Sequence, residues 1–343
     1  MKSLVAGRKP LFSGMLACLI IALVAWFLGK QLPLIGGPMI AIALGIVLST
    51  SFAPSIERLP DAFALKPGLM FCSKKVLQCA VVLLGFDMNL LNVVRVGGES
   101  LGMILCTMAC ALLVAFVLGK RLRLTANTAT LIGIGTAICG GSAIAASAPV
   151  IGASDEDVTR SISTIFLFNI VAVFCFPFIG RLLGLTDSAF GMWAGMAVND
   201  TSSVVAAGTA WSQLQGNDAA LALSTIVKLT RTLMIVPATL ILAVYTAKKQ
   251  SGVNAKQFNF IKVFPWFVFF FLLAALINTY LSPITPYGKP LANFGKFLIV
   301  VAMSAIGLNT NLKALIRNGT APILMGFSCA LTASVVALLL ANH

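Results

Sequence analysis

Residues 137–149 read AICGGSAIAASAP, and residues 199–211 read NDTSSVVAAGTAW. Both stretches lie inside long apolar runs, yet both consist largely of glycine, hydroxyl and other small residues. In hydrocarbon a backbone N–H or C=O has no water to pair with, so weak helix formers are costly there. Gly140-Gly141-Ser142, with Pro149 beyond, and Asn199-Asp200-Thr201-Ser202-Ser203 therefore predict two places where a membrane helix stops and restarts. Such breaks persist only where they face protein or a watery cavity, and the freed groups then become ligands. A half-helix N-terminus suits an anion, while freed carbonyl and hydroxyl oxygens suit Na⁺. The competing reading is tight helix packing through small residues.

The rest of the chain supplies the membrane. Of 343 residues, 59% are hydrophobic and only 10% charged, far from the balance of a soluble globular chain. Apolar runs long enough to cross a bilayer fall near 11–29, 34–52, 69–87, 99–119, 129–150, 161–180, 189–211, 219–246, 263–281, 295–310 and 321–341. About eleven transmembrane segments in one all-α, polytopic domain over 1–343 follow, with 129–150 and 189–211 as the interrupted ones. The first apolar run continues into further spans, so it reads as a membrane helix and not a cleaved signal peptide.

The +14 net charge orients the chain; it does not point to nucleic acid. With the N-terminus inside, seventeen Lys and Arg fall on the inner side and five on the outer, a positive-inside bias that leaves the C-terminus outside. Lys228 and Arg231 belong to neither side because they sit within a span. Eight cysteines without a CxxC, and a single terminal histidine, His343, favour buried apolar thiols over zinc or disulfides. No resident metal and no cofactor is expected. Trp26, Trp193 and Trp266 near span ends suit interface anchoring, and WFVFFFLLAAL (266–276) suits lipid-facing bulk.

LLGFDMNLLNVVRVGG (83–98) and AIGLNTNLKALIRNGT (305–320) align at an offset of 222, matching Gly85, Asn89, Leu90, Arg95 and Gly97 to Gly307, Asn311, Leu312, Arg317 and Gly319. Each closes one span and precedes another, in opposite orientations, which predicts an inverted repeat relating 76–119 to 298–341. The two small-residue stretches also resemble each other, at an offset of 60, pairing Ser142 with Ser202 and Ala146 with Ala206.

Asp200, an acid inside a span, is expensive and seldom idle. Lys228 and Arg231, three apart in LALSTIVKLTRTLMIVPATLILAVY (221–245), share one helix face beyond easy snorkelling distance. Two such cations need an anionic partner: Asp200, another acid such as Asp87, or a bound substrate. A buried ion pair holding helices together is the structural alternative. The candidate substrate site is Cys139, Gly140, Gly141, Ser142, Asn199, Asp200, Thr201, Ser202, Lys228 and Arg231, with Na⁺ near Asp200 and Ser203 as the one metal-ion reading. Cys139 and Ser142 have no histidine within the membrane to act as base, so an enzyme is not expected. No Gly-Lys-Ser/Thr follows GIGTAICGGS, which argues against direct drive by ATP.

GTAICGGSAIAASAPVI (135–151), VVAAG (204–208), KLTRTLMIVP (228–237) and LIVVAMSAIGL (298–308) resemble the YeiH-like inner-membrane proteins labelled as sulfate exporters, collinearly from about residue 34 onward. The resemblance implies a bacterial cytoplasmic-membrane transporter related to the cation–proton antiporter and bile-acid symporter group. It further implies inverted repeats, two crossed discontinuous helices, and an elevator-like core moving against a scaffold. Some members carry His-Glu where this chain has Asn199-Asp200, and Arg at the positions of Gln78 and Asp87, whereas Lys228 and Arg231 match. The implied function is secondary transport of a small anion, a sulfur oxyanion or sulfonate, coupled to H⁺ or Na⁺, with the lipid bilayer as partner and a homodimer as the assembly allowed for. The alternative is a cation–proton antiporter that uses Asp200.

Overall fold

The computed structural model describes residues 8–32, 36–57, 65–249, 264–281, 285–310 and 319–341. The described chain is helical throughout: α1 (Arg8–Gln31), α2 (Gly37–Glu57), α3 (Lys66–Phe71), α4 (Leu77–Leu84), α5 (Leu90–Arg121), α6 (Ala126–Ala137), α7 (Gly141–Ile151), α8 (Asp155–Leu182), α9 (Asp187–Ala197), α10 (Thr201–Gln215), α11 (Ala219–Leu233), α12 (Ile235–Lys249), α13 (Trp266–Tyr280), α14 (Thr285–Leu308) and α15 (Thr320–Ala341). A π-turn at Cys72–Val76 joins α3 to α4, and a 3₁₀ turn at Gly85–Asp87 ends that segment. Among the described residues there is no strand.

Among the described residues, seven helical segments are long and apolar enough to cross a membrane: Leu11–Gln31, Lys66–Asp87, Leu90–Arg121, Asp155–Leu182, Ala219–Thr246, Pro286–Leu308 and Thr320–Ala341. Four of the eleven sequence-derived spans are not among them. Gly37–Ser51 and Trp266–Tyr280 are shorter apolar helices, and the 129–150 and 189–211 segments are each divided between two short helices. Apolar side chains such as Phe12, Phe27, Leu113, Phe116, Phe178 and Leu339 stand exposed, the reverse of a water-soluble surface and suited to lipid.

The chain forms two compact units. One comprises 1–93, 205–222 and 267–312; here α14 packs along α2 and α4, and α1 along α2 and α3. Lys296 of this unit pairs with Asp218 at 2.5 Å. The other comprises 94–204, 223–266 and 313–343, and it holds both small-residue stretches together with Lys228 and Arg231. Its core gathers Leu131, Ile132, Ile144, Ile165, Met325 and Cys329 from α6, α7, α8 and α15. Glycine is required where α9 meets α11: a Cβ on Gly195 would lie 2.8 Å from Val227 Cβ and 2.9 Å from the Ser224 carbonyl oxygen.

Several readings change. Trp193 is an internal residue, not an interface anchor: 2% exposed, it stacks on Phe176 at 4.2 Å and donates its Nε1–H to the Ser334 carbonyl at 3.0 Å. Cys18, Cys72, Cys139 and Cys329 are buried, but Cys79, Cys106 and Cys175 are exposed, so burial does not account for all the thiols. Within the aromatic run, Phe269 and Phe270 are exposed while Phe271 is fully buried. Residues 311–318 of the second repeat copy, with Arg317, and the terminal His343 lie outside the described residues, as do the inner-side Lys2, Arg58, Lys256, Lys262 and Lys313.

The start of the first broken segment is tied to α8. Asp157 accepts from Thr125 Oγ1 at 2.7 Å, Thr128 Oγ1 at 2.6 Å and Ser154 Oγ at 2.8 Å, joining the cap of α6 to the capping box of α8. Asp157→Ala removes these bonds, with the one from the Ser154 N–H at 3.3 Å, and should destabilise the purified protein by about 1–2 kcal/mol, read as a lower unfolding midpoint in detergent.

Candidate functional site

Both breaks are local consequences of sequence. Thr125 caps α6 by accepting from the Thr128 N–H at 3.1 Å, and Thr186 caps α9 by accepting from the Ala189 N–H at 3.2 Å. The first helix stops after Ala137, where Ile138 turns to φ −116°, ψ −87°, and Gly140 adopts φ +65°, ψ −128°, a conformation essentially confined to glycine. The second stops after Ala197, where Val198 is extended at φ −75°, ψ 133°. The chain then re-enters helix at Gly141 and Thr201.

A helix end leaves its last four carbonyls without intrahelical partners. For α6, the Ile134 carbonyl accepts from the Ile138 N–H at 3.0 Å and the Gly135 carbonyl from the Gly140 N–H at 2.8 Å. Arg231 takes the next two: its Nη2 donates to the Thr136 carbonyl, and its Nε to that of Ala137 at 2.7 Å. Lys228 Nζ takes the carbonyl of Ile138 at 2.7 Å. At the end of α9, Arg231 Nη1 donates to the Met196 carbonyl and, at 3.3 Å, to that of Val198. Lys228 Nζ donates to the Val198 carbonyl at 3.1 Å and to that of Asn199. Each cation therefore touches both breaks. Lys228 is 0% and Arg231 1% exposed.

This answers the question of their partner. Carbonyl ends of two half-helices surround the ammonium and guanidinium, in place of the expected acid or bound substrate. Each end carries roughly half a negative charge by its dipole, which two cations offset. All three Lys228 N–H groups have protein acceptors, so Lys228 acts on the site through the backbone it holds.

Asp200 stands on the opposite, N-terminal side of the breaks. Its Oδ1 accepts from Ser202 Oγ at 2.5 Å and from the Ser203 N–H at 2.6 Å, capping α10. Its Oδ2 accepts from Asn169 Nδ2 at 3.0 Å and Ser203 Oγ at 3.2 Å. Gly140 lies beside it: a Cβ there would be 3.3 Å from Asp200 Cβ and 3.6 Å from Asn169 Nδ2. The N-terminus of α7 has no side-chain cap on its N-cap residue, Gly140; the Ala143 N–H is directed at the Cys139 sulfur. Gly141, Asp200 and Thr201 are half-buried and Ser142 is exposed, whereas Cys139, Asn199 and Ser202 are buried.

All ten sequence-derived site residues thus gather around two breaks inside one unit. Asn169, on α8, was not singled out by sequence; the signal available was an amide in the middle of the apolar run IFLFNIVAVF. Asp87 lies in the other unit, at the end of the 3₁₀ turn.

Comparison with other proteins places the chain. A family model described as conserved hypothetical protein 698 matches residues 13–326. The chain belongs to this family. Relatives named UPF0324 membrane protein include one from Streptococcus pyogenes serotype M3, 50% identical over 329 residues and covering 95% of each chain. One from Streptococcus mutans is 47% identical over 332 residues, again 95% of each. One from Fusobacterium nucleatum is 43% identical over 340 residues, 95% of this chain and 96% of the relative. No solved structure matches. With its apolar helices, the family membership identifies a membrane protein.

Truncating one cation strands a buried set of carbonyls beside the remaining charge. Lys228→Met and Arg231→Met should each cost about 3–5 kcal/mol. Arg231→Lys should recover only part, because an ammonium has three donors where the guanidinium holds four carbonyls. Chemical unfolding of the detergent-solubilised protein measures all three.

Proposed function

We propose that the protein is a secondary transporter of a small anion, a sulfur oxyanion or sulfonate, working by alternating access. One observation carries the reading. The C-terminal ends of both half-helix pairs are offset by buried cations, while a side-chain carboxylate caps only one of the two restarting helices. The core therefore retains a positive excess at the uncapped N-terminus of α7, where a small anion has backbone donors to meet. In this reading Gly140, Gly141 and Ser142, with Thr201 and Ser202 opposite, contact the substrate, and Lys228 and Arg231 position the backbone that does so.

Counting the two broken segments and the two shorter apolar helices as crossings brings the spans to the eleven read from sequence. An inverted repeat, an elevator-like core and a bacterial cytoplasmic-membrane location with the N-terminus inside belong to the same proposal. The resemblance to YeiH-like proteins supports them. The second reading is a cation–proton antiporter working through Asp200, favoured by the four donors that hold this carboxylate inside the membrane.

Proteoliposomes test both. Uptake of labelled sulfite, sulfate or taurine that saturates is expected; proton movement driven by Na⁺ or K⁺ gradients with no anion requirement would instead establish the antiporter. Proline is tolerated at the first helical position, which Gly141 occupies, and lacks the N–H. Gly141→Pro should therefore weaken apparent anion affinity about tenfold while leaving the unfolding midpoint near wild type.

A further inference from the structure

Among the described residues, two buried amide oxygens have no hydrogen-bond partner: Oδ1 of Asn169, whose Nδ2 meets the Asp200 carboxylate, and Oδ1 of Asn199, the residue before Asp200; these residues are 1% and 3% exposed. The orientation of the Asn169 amide is chemically constrained. Asn169 Nδ2 donates to Asp200 Oδ2 at 3.0 Å, and exchanging its nitrogen and oxygen would set two acceptors against each other. Asn199 precedes Asp200 in the chain, and its carbonyl is held by Lys228. Buried acceptors are seldom left unpaired, and the Asn169 amide adjoins a carboxylate that already takes four donors. Ser202 and Ser203 present hydroxyl oxygens with lone pairs at the same carboxylate.

Oxygen acceptors around a carboxylate are the donor set of a hard cation. The half-helix carbonyl ends, the usual alternative for such an ion, are occupied by Lys228 and Arg231. With one carboxylate and two fixed cations in the same core, the charge balance suits a monovalent group and not a divalent metal.

We propose that Asp200, Asn169 and Asn199 hold a monovalent cationic group beside the anion-binding end of α7: free Na⁺, or the ammonium of a zwitterionic substrate such as an aminosulfonate. This rests on the transport reading above and adds a co-bound positive charge to it. An anion at the α7 N-terminus and a cation at Asp200 stabilise each other, so their binding is cooperative and reciprocal.

The test uses the full chain in detergent, read by thermal unfolding. Na⁺ is titrated against choline with a common anion, and taurine is compared with isethionate, the same sulfonate without an ammonium, in choline buffer. A saturable rise in the midpoint with Na⁺, or with taurine over isethionate, is expected, since a ligand of the folded state stabilises it. Asn169→Ala and Asn199→Ala should each weaken that response about tenfold. Asn169→Asp, which keeps an oxygen in place, should retain it. The proposal fails if neither Na⁺ nor taurine stabilises the wild-type chain, or if both alanine variants respond as wild type does. It also fails if only acidification stabilises, which would assign a proton to Asp200. Anion uptake in proteoliposomes is judged separately. Uptake without any cation response retires this site alone, and a cation response without uptake retires the transport reading alone.

Discussion

The site rests on two cations that hold backbone carbonyls. Helix α11 delivers Lys228 and Arg231 three residues apart on one face, and each reaches the ends of both α6 and α9. A half-helix that ends inside a membrane exposes carbonyls with no water to satisfy them, and two such ends close together repel. The ammonium and guanidinium remove both costs at once. Had a carboxylate or a bound substrate taken these cations, the partners their sequence left open, the carbonyls would have needed other donors. The breaks and the cations therefore account for each other.

The opposite ends of the breaks are treated unequally. Helix α10 restarts under a side-chain cap, with Asp200 accepting from Ser203. Helix α7 restarts from Gly140, which has no side chain, in a conformation closed to other residues and with Asp200 immediately beside it. A cap at Gly140 would neutralise the positive end, and a Cβ there would crowd Asp200. The two glycines thus keep open a place that an ordinary N-cap such as Ser or Asp would have filled. That inequality favours the proposed ligand site over a purely structural role, in which both ends would be capped.

Sequence reasoning found the residues more readily than their partners. Periodicity placed Lys228 and Arg231 on one face, and composition marked both breaks, because charge and weak helix formers are rare in apolar runs. The acceptors of the two cations left no trace, since Thr136, Ala137, Met196 and Val198 contribute only carbonyls, which every residue type has. Asn169 escaped notice because a lone amide in an apolar run gives no hint of which helix it will meet. Trp193 was misread for a related reason: proximity to a span end suggested an interface, but α9 is short and turns inward, so its indole finds Ser334 and Phe176. The breaks divide apolar runs that hydropathy treats as continuous, so 129–150 and 189–211 each hold two short helices.

Tethered cations differ in consequence from bound ones. A Na⁺ held by half-helix carbonyls can leave and so can couple its own gradient to transport; Lys228 and Arg231 are tethered and cannot leave. The positive charge they carry must be balanced by fixed dipoles, by Asp200 and by whatever the site binds. Fixed positive charge makes occupation by an anion favourable and occupation by a lone cation unfavourable. A cation at Asp200 is then best accommodated when an anion accompanies it. On this account backbone N–H groups recognise the ligand while buried side chains set its charge. Both functions can be carried within one unit of the fold, because every group named in the crossing belongs to that unit.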